Sequence, residues 1–115
     1  MNREINFELS SIDDIYISSE SYDGNYKEGL KLFAGFEGEN EATKLSFSFC
    51  ADFDDYTVTL LLSGDDLEEV EVSLTDDEYL IPDEYMIPEI VYMKIKATNG
   101  TQVLYSPDIQ LRIKY

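Results

Sequence analysis

Six stretches of this chain alternate apolar and polar residues with a period of two, and a seventh does so more weakly. That pattern suits a strand with one covered face and suits little else. Ile5, Phe7 and Leu9 alternate with Glu4, Asn6 and Glu8. Leu45, Phe47, Phe49 and Ala51 alternate with Lys44, Ser46, Ser48 and Cys50. Val58, Leu60 and Leu62 follow the same rule, as do Val70, Val72 and Leu74. Val91, Met93, Ile95 and Ala97 give a fifth run, and Ile109, Leu111, Ile113 and Tyr115 a sixth. Leu30, Leu32, Ala34 and Phe36 form the weaker one. Each run has an apolar and a polar face, as a sheet covered on one side by a second sheet requires.

Turn residues separate these runs. Asn99-Gly100 predicts a tight hairpin, because both central positions of a type I′ turn need positive φ. Ser63-Gly64-Asp65-Asp66, Asp76-Asp77 and Ser106-Pro107-Asp108 interrupt the ladders elsewhere. Ser18–Gly29 reads as a loop, and the only helical signal is a short turn around Asp83–Met86. At 115 residues with 43% apolar content, the chain reads as one domain, 1–115, able to bury roughly 65% of its unfolded surface. The expectation is an all-β fold: an antiparallel, immunoglobulin-like two-sheet sandwich of seven or eight short strands. A small barrel is the alternative. Leu45, Phe47, Phe49, Val58, Leu60, Val72, Met93, Ile95, Leu111 and Ile113 are expected to point inward.

Charge narrows the function. Eight Lys and Arg stand against 25 Asp and Glu, a net of -17, and residues 45–93 hold 14 acids and no base. Such a surface repels phosphate backbones and anionic membranes, which speaks against direct nucleic-acid or membrane binding. No apolar run approaches the ~18 residues of a membrane helix. The first residues lack the basic and apolar regions of a signal peptide, so secretion is not expected.

Catalytic signals are weak. The chain has no histidine, which removes the commonest general base and metal ligand. Cys50 has only acids nearby, and these oppose thiolate formation. Asp52-Phe53-Asp54-Asp55 resembles a calcium loop but lacks the glycine at the sixth position and the glutamate at the twelfth, which is Ser63. Asp76 and Asp77 could pair as in a glycosidase, yet among so many acids an adjacent pair is expected by chance. The reading is of a protein that is not an enzyme, with no catalytic residue, no metal site and no cofactor.

Nine tyrosines accompany six phenylalanines, more aromatics than such a core takes. Tyrosine is enriched at protein interfaces. Tyr22, Tyr26, Tyr56 and Tyr85, in loops, are therefore the candidate partner-binding residues, with Tyr22 and Tyr26 expected to be exposed.

Two segments carry a resemblance. Gly35-Phe36-Glu37-Gly38-Glu39-Asn40-Glu41-Ala42-Thr43-Lys44-Leu45-Ser46-Phe47 is one. The other is Tyr79-Leu80-Ile81-Pro82-Asp83-Glu84-Tyr85-Met86, followed by the Val91–Ala97 strand, Asn99-Gly100 and the closing Tyr105–Ile113 segment. Together they resemble small immunoglobulin-like structural modules of phage tail and baseplate proteins. The likeness implies a non-catalytic virion module, structural or adhesive, whose partners are other virion proteins or a host protein; it leaves a homo-oligomer open, and it implies a location in the virion or in the host cytoplasm during infection. The competing class is an acidic DNA mimic that inhibits a host restriction or CRISPR nuclease. A mimic should array its carboxylates in one strip, whereas a module scatters them over loops.

Overall fold

The computed structural model describes residues 2–115. Eleven strands and two short 3-10 turns build two sheets packed as a sandwich. The strands are β1 (Arg3–Ser11), β2 (Asp14–Ser19), β3 (Asp23–Asn25), β4 (Lys31–Phe36), β5 (Thr43–Phe49) and β6 (Thr57–Gly64). They continue as β7 (Leu67–Ser73), β8 (Glu78–Leu80), β9 (Ile90–Asn99), β10 (Gln102–Tyr105) and β11 (Ile109–Lys114). The first sheet runs β3-β2-β1-β5-β8, and the second β4-β11-β9-β6-β7, with β10 beside the far half of β9.

The expected all-antiparallel arrangement is corrected: both sheets are mixed. β1 pairs in parallel with β5, from Arg3↔Thr43 to Leu9↔Phe49, and β4 pairs in parallel with β11. Alternation reports which face a residue takes, not the direction of the neighbouring strand, so the sequence pattern could not tell the two apart. The count of seven or eight strands is also exceeded: β2, β3 and β8 add to the expected runs, and β3 and β8 are too short to alternate visibly.

Burial follows the alternation closely. Ile5, Phe7, Leu9, Leu45, Leu60, Leu62, Met93, Ile95, Leu111 and Ile113 all face the core. Ile15 and Ile17 join them from β2. Phe49, Val58 and Val72 point inward but are only partly buried, since they lie near the ends or edges of their sheets and cap the core. Phe7 stacks on Phe47 at 5.0 Å, Phe47 on Phe49 at 5.9 Å, and Phe49 meets Phe53 at 5.3 Å. This aromatic column carries the core to the end of the sandwich, where Phe53 is buried inside the 3-10 turn Ala51–Phe53.

Three local expectations shift. In β4, Gly35 is buried at φ +128° and the register with β11 slips between Arg112 and Ile113. The extra residue turns Phe36 outward, against the expected inward alternation. In the β9–β10 hairpin, Asn99 still pairs with Gln102, so Gly100 and Thr101 occupy the centre and only Gly100, at φ +58°, needs the left-handed region. Ser18–Gly29 is not one loop, since β3 forms there and pairs with β2.

Candidate interaction surface

The four singled-out tyrosines are half-buried rather than exposed, and the structure does not gather them. The Tyr22 hydroxyl donates to the Asn25 carbonyl at 2.7 Å, and its N–H to the Ser19 hydroxyl at 3.1 Å. The Tyr26 hydroxyl donates to the Asp108 carbonyl at 2.6 Å, tying the segment after β3 to the start of β11. Burial pushes the Tyr26 phenol pKa up, helped by the charges of Glu28 and Asp108, so it stays a donor. Tyr56 donates to Gln102 Oε1 at 2.7 Å. Tyr85 closes the 3-10 turn Asp83–Tyr85 and packs against the core. Its neighbour Tyr79 has its pKa pushed up to about 12, first by burial and then by Tyr85 and Glu84.

Register fixes their separation. Tyr22 follows Ser19, which faces Ile5 near the Arg3 end of the strands. Tyr56 packs on Phe53 near Phe49, at the opposite end. Tyr85 lies beyond β8, at the other edge of the first sheet from β3.

The exposed large apolar side chains are others: Tyr16, Phe36, Leu80, Val103, Tyr105 and, most exposed, Tyr115 at 83%. Tyr16 was legible in the sequence, since it sits between Ile15 and Ile17 and so must point away from the core. It walls an open hollow of about 360 Å³ on the outer face of the first sheet, lined also by Asn6, Glu8, Ser18, Ser46 and Ser48. Its hydroxyl donates to Asp23 at 2.6 Å, which raises the phenol pKa.

The outer faces of the two sheets differ in charge. The first presents Glu4, Glu8, Asp14, Asp23 and Glu78 around Lys44. On the second, β4, β9, β10 and β11 hold no acidic residue but carry Lys31, Lys94, Lys96, Arg112 and Lys114. Cations and rings interleave there: Lys94 lies 5.4 Å from the Tyr105 ring centre and Lys114 5.2 Å from that of Phe33. Glu71 of β7 takes Lys96 at 3.1 Å and Asp108 takes Lys94 at 3.7 Å. Among the described residues, Lys31, Arg112 and Lys114 have no ion-pair partner.

The remaining candidates have local structural roles. Cys50 Sγ donates to the Ser10 carbonyl at 3.2 Å. Asp52, Asp54 and Asp55 are exposed around the buried Phe53, and no cluster of three metal-ligating side chains forms among the described residues. Asp76 and Asp77 both adopt positive φ in the turn before β8, and the Asp77 carbonyl accepts the Phe47 N–H at 2.9 Å. No protein-family model and no curated protein matches the chain.

Proposed function

We propose that this protein is a non-catalytic, immunoglobulin-like module of a phage particle, of tail or baseplate type, that acts through protein–protein contact. The observation that carries the contact reading is the exposed aromatic and basic face of the second sheet, with Phe36 beside Lys114 at one end, Tyr105 beside Lys94 towards the other, and Lys31 and Arg112 between them along the strands. Aromatic side chains and arginine are what protein interfaces enrich. The virion setting rests on the sequence resemblance alone. Tyr22, Tyr26, Tyr56 and Tyr85 then act chiefly from within, holding the loops that frame the contact faces.

The DNA-mimic reading is less well supported by where the acids lie. Asp52, Asp54 and Asp55 precede β6, whereas Asp65 and Asp66 follow it at the far end of the sandwich. Others lie on the outer face of the first sheet, so no single strip collects them.

Affinity capture from infected-cell lysate tests the proposal. A virion protein retained at ~0.5 M salt is expected, because a contact centred on a few aromatic residues tolerates screening. Retention of a nuclease that is released by duplex DNA or by moderate salt would replace this reading with the mimic.

A further inference from the structure

The charge segregation points to an occupant for the basic face. We infer that it docks the acidic outer face of the first sheet of a second copy, so that copies stack head to tail. This rests on the contact reading above and names its partner.

The chain carries both halves of the contact. One outer face presents Glu8 and Asp14 beside Tyr16, and the other presents Lys31 and Arg112 on the paired strands β4 and β11, with Phe33 opposite Arg112 and Phe36 opposite Lys114. The two faces lie on opposite sides of one sandwich. A contact between unlike faces leaves one of each unused, so the assembly is heterologous and grows by addition. Two first-sheet faces would set carboxylates against carboxylates.

Size and screening set the conditions. Five strands at ~4.8 Å spacing and about six residues at ~3.3 Å present roughly 24 by 20 Å, below the ~800 Å² per partner of a standard interface. The contact is therefore weak, and visible at high protein concentration. With -17 on each copy and a body of 39 × 29 × 27 Å, repulsion reaches across the whole molecule at 0.01 M salt, where the Debye length is ~30 Å. At 0.15 M it is ~8 Å, so only facing charges are felt; at 1 M, ~3 Å, they too are screened. Association is strongest at intermediate salt.

Sedimentation equilibrium of the whole chain, at protein concentrations up to ~1 mM and at these three salts, tests it. A charge-swap pair identifies the faces. One variant carries Lys31→Glu and Arg112→Glu; the other carries Glu8→Lys and Asp14→Lys. All four positions are exposed, and an unchanged far-UV circular dichroism spectrum verifies folding. The expected result is at least a tenfold weaker self-association of each variant alone and its recovery on mixing them, since each then meets the other's complementary face. A wild-type chain that stays monomeric at every salt overturns the self-pairing, while a virion protein captured from lysate would still uphold the contact reading. Association that the variants leave unchanged overturns the assignment of the faces.

Discussion

Arg3 Nη1 lies 3.0 Å from Glu39 Oε1 and 2.9 Å from the Thr43 hydroxyl, so one guanidinium joins the start of β1, the turn after β4 and the start of β5. The same Glu39 oxygen accepts the Phe36 N–H at 2.8 Å. The cluster pins the crossing from the second sheet back to the first, at the end where β1 and β5 start side by side in parallel. The Phe36 N–H, and after it Arg3, hold the Glu39 carboxyl below its ordinary value of 4.5. A lowered folded pKa means stability that is present above the unfolded value and is lost as pH falls through the folded one. Glu39→Gln should therefore be less stable than wild type by roughly 0.5–1 kcal/mol at pH 7. The gap should close below about pH 4. Urea melts at pH 7 and pH 3 measure it; a gap that persists in acid would show that shape, not charge, matters here.

Gly35 sits under that cluster. A Cβ there would lie 2.5 Å from Glu39 Oε1, 2.6 Å from Arg3 Nη1 and 2.8 Å from Met86 Cε, at a φ of +128°. Side-chain tips can move, but here three would have to move together and the backbone would remain strained. Gly35→Ala should cost at least ~2 kcal/mol, strain and the disturbed cluster outweighing the entropy alanine removes from the unfolded chain. A loss under about half that in thermal melts would mean the bulge relaxes freely.

Asp76 and Asp77 present the opposite case. Their φ values of +53° and +60° place two non-glycine residues in the left-handed region, and Thr75 pairs with Glu78 across them. Asp77→Gly should stabilise the fold by about 0.5–1 kcal/mol, because glycine reaches this conformation without a Cβ penalty. Both backbone bonds of the Thr75–Glu78 bridge should survive, which amide hydrogen exchange would check. A loss of stability would mean that the Asp77 side chain holds the turn in a way its backbone does not reveal.

The faces of the strands were readable from sequence, whereas their partners were not. Ile5, Phe7 and Leu9 had to share a side, but nothing in them says that β5 lies alongside in parallel rather than antiparallel. The slip at Gly35 that exposes Phe36 was hidden too, because one extra residue in a strand leaves composition unchanged. Loop position suggests exposed side chains at Tyr22 and Tyr26, yet the backbone carbonyls of Asn25 and Asp108 accept their hydroxyls. Parity within a strand was the better guide, since it points Tyr16 outward. The basic face was half legible: Ile90–Pro107 contains no acid, yet only the pairing of β11 with β4 adds Lys31 to Arg112 and Lys114.

Phe47 links the two halves of the aromatic column, 5.0 Å from Phe7 and 5.9 Å from Phe49, and is almost fully buried. Phe47→Ala should cost ~3–5 kcal/mol in urea denaturation, from lost transfer energy and the cavity left between its stacked neighbours. The slope of the transition should not change if the same surface is exposed on unfolding. A cost under ~1 kcal/mol would show that Phe7 and Phe49 close the gap themselves.

Salt should stabilise the fold even where it weakens individual ion pairs. Only five of the 25 carboxylates, on Glu4, Glu39, Glu71, Glu78 and Asp108, take part in an ion pair among the described residues. Such half-exposed pairs contribute at most ~1 kcal/mol each, so screening them removes little. The unpaired carboxylates repel one another over about 30 Å at 0.01 M salt but only about 8 Å at 0.15 M, and the compact state suffers this more than the extended chain. The melting temperature, read at a protein concentration too low for self-association, should therefore rise across that range. It should rise equally with sodium and magnesium at matched ionic strength, since diffuse screening does not depend on a built site. A rise peculiar to magnesium would mean that some carboxylates converge on a cation, and a flat profile would mean that repulsion is already relieved in the fold.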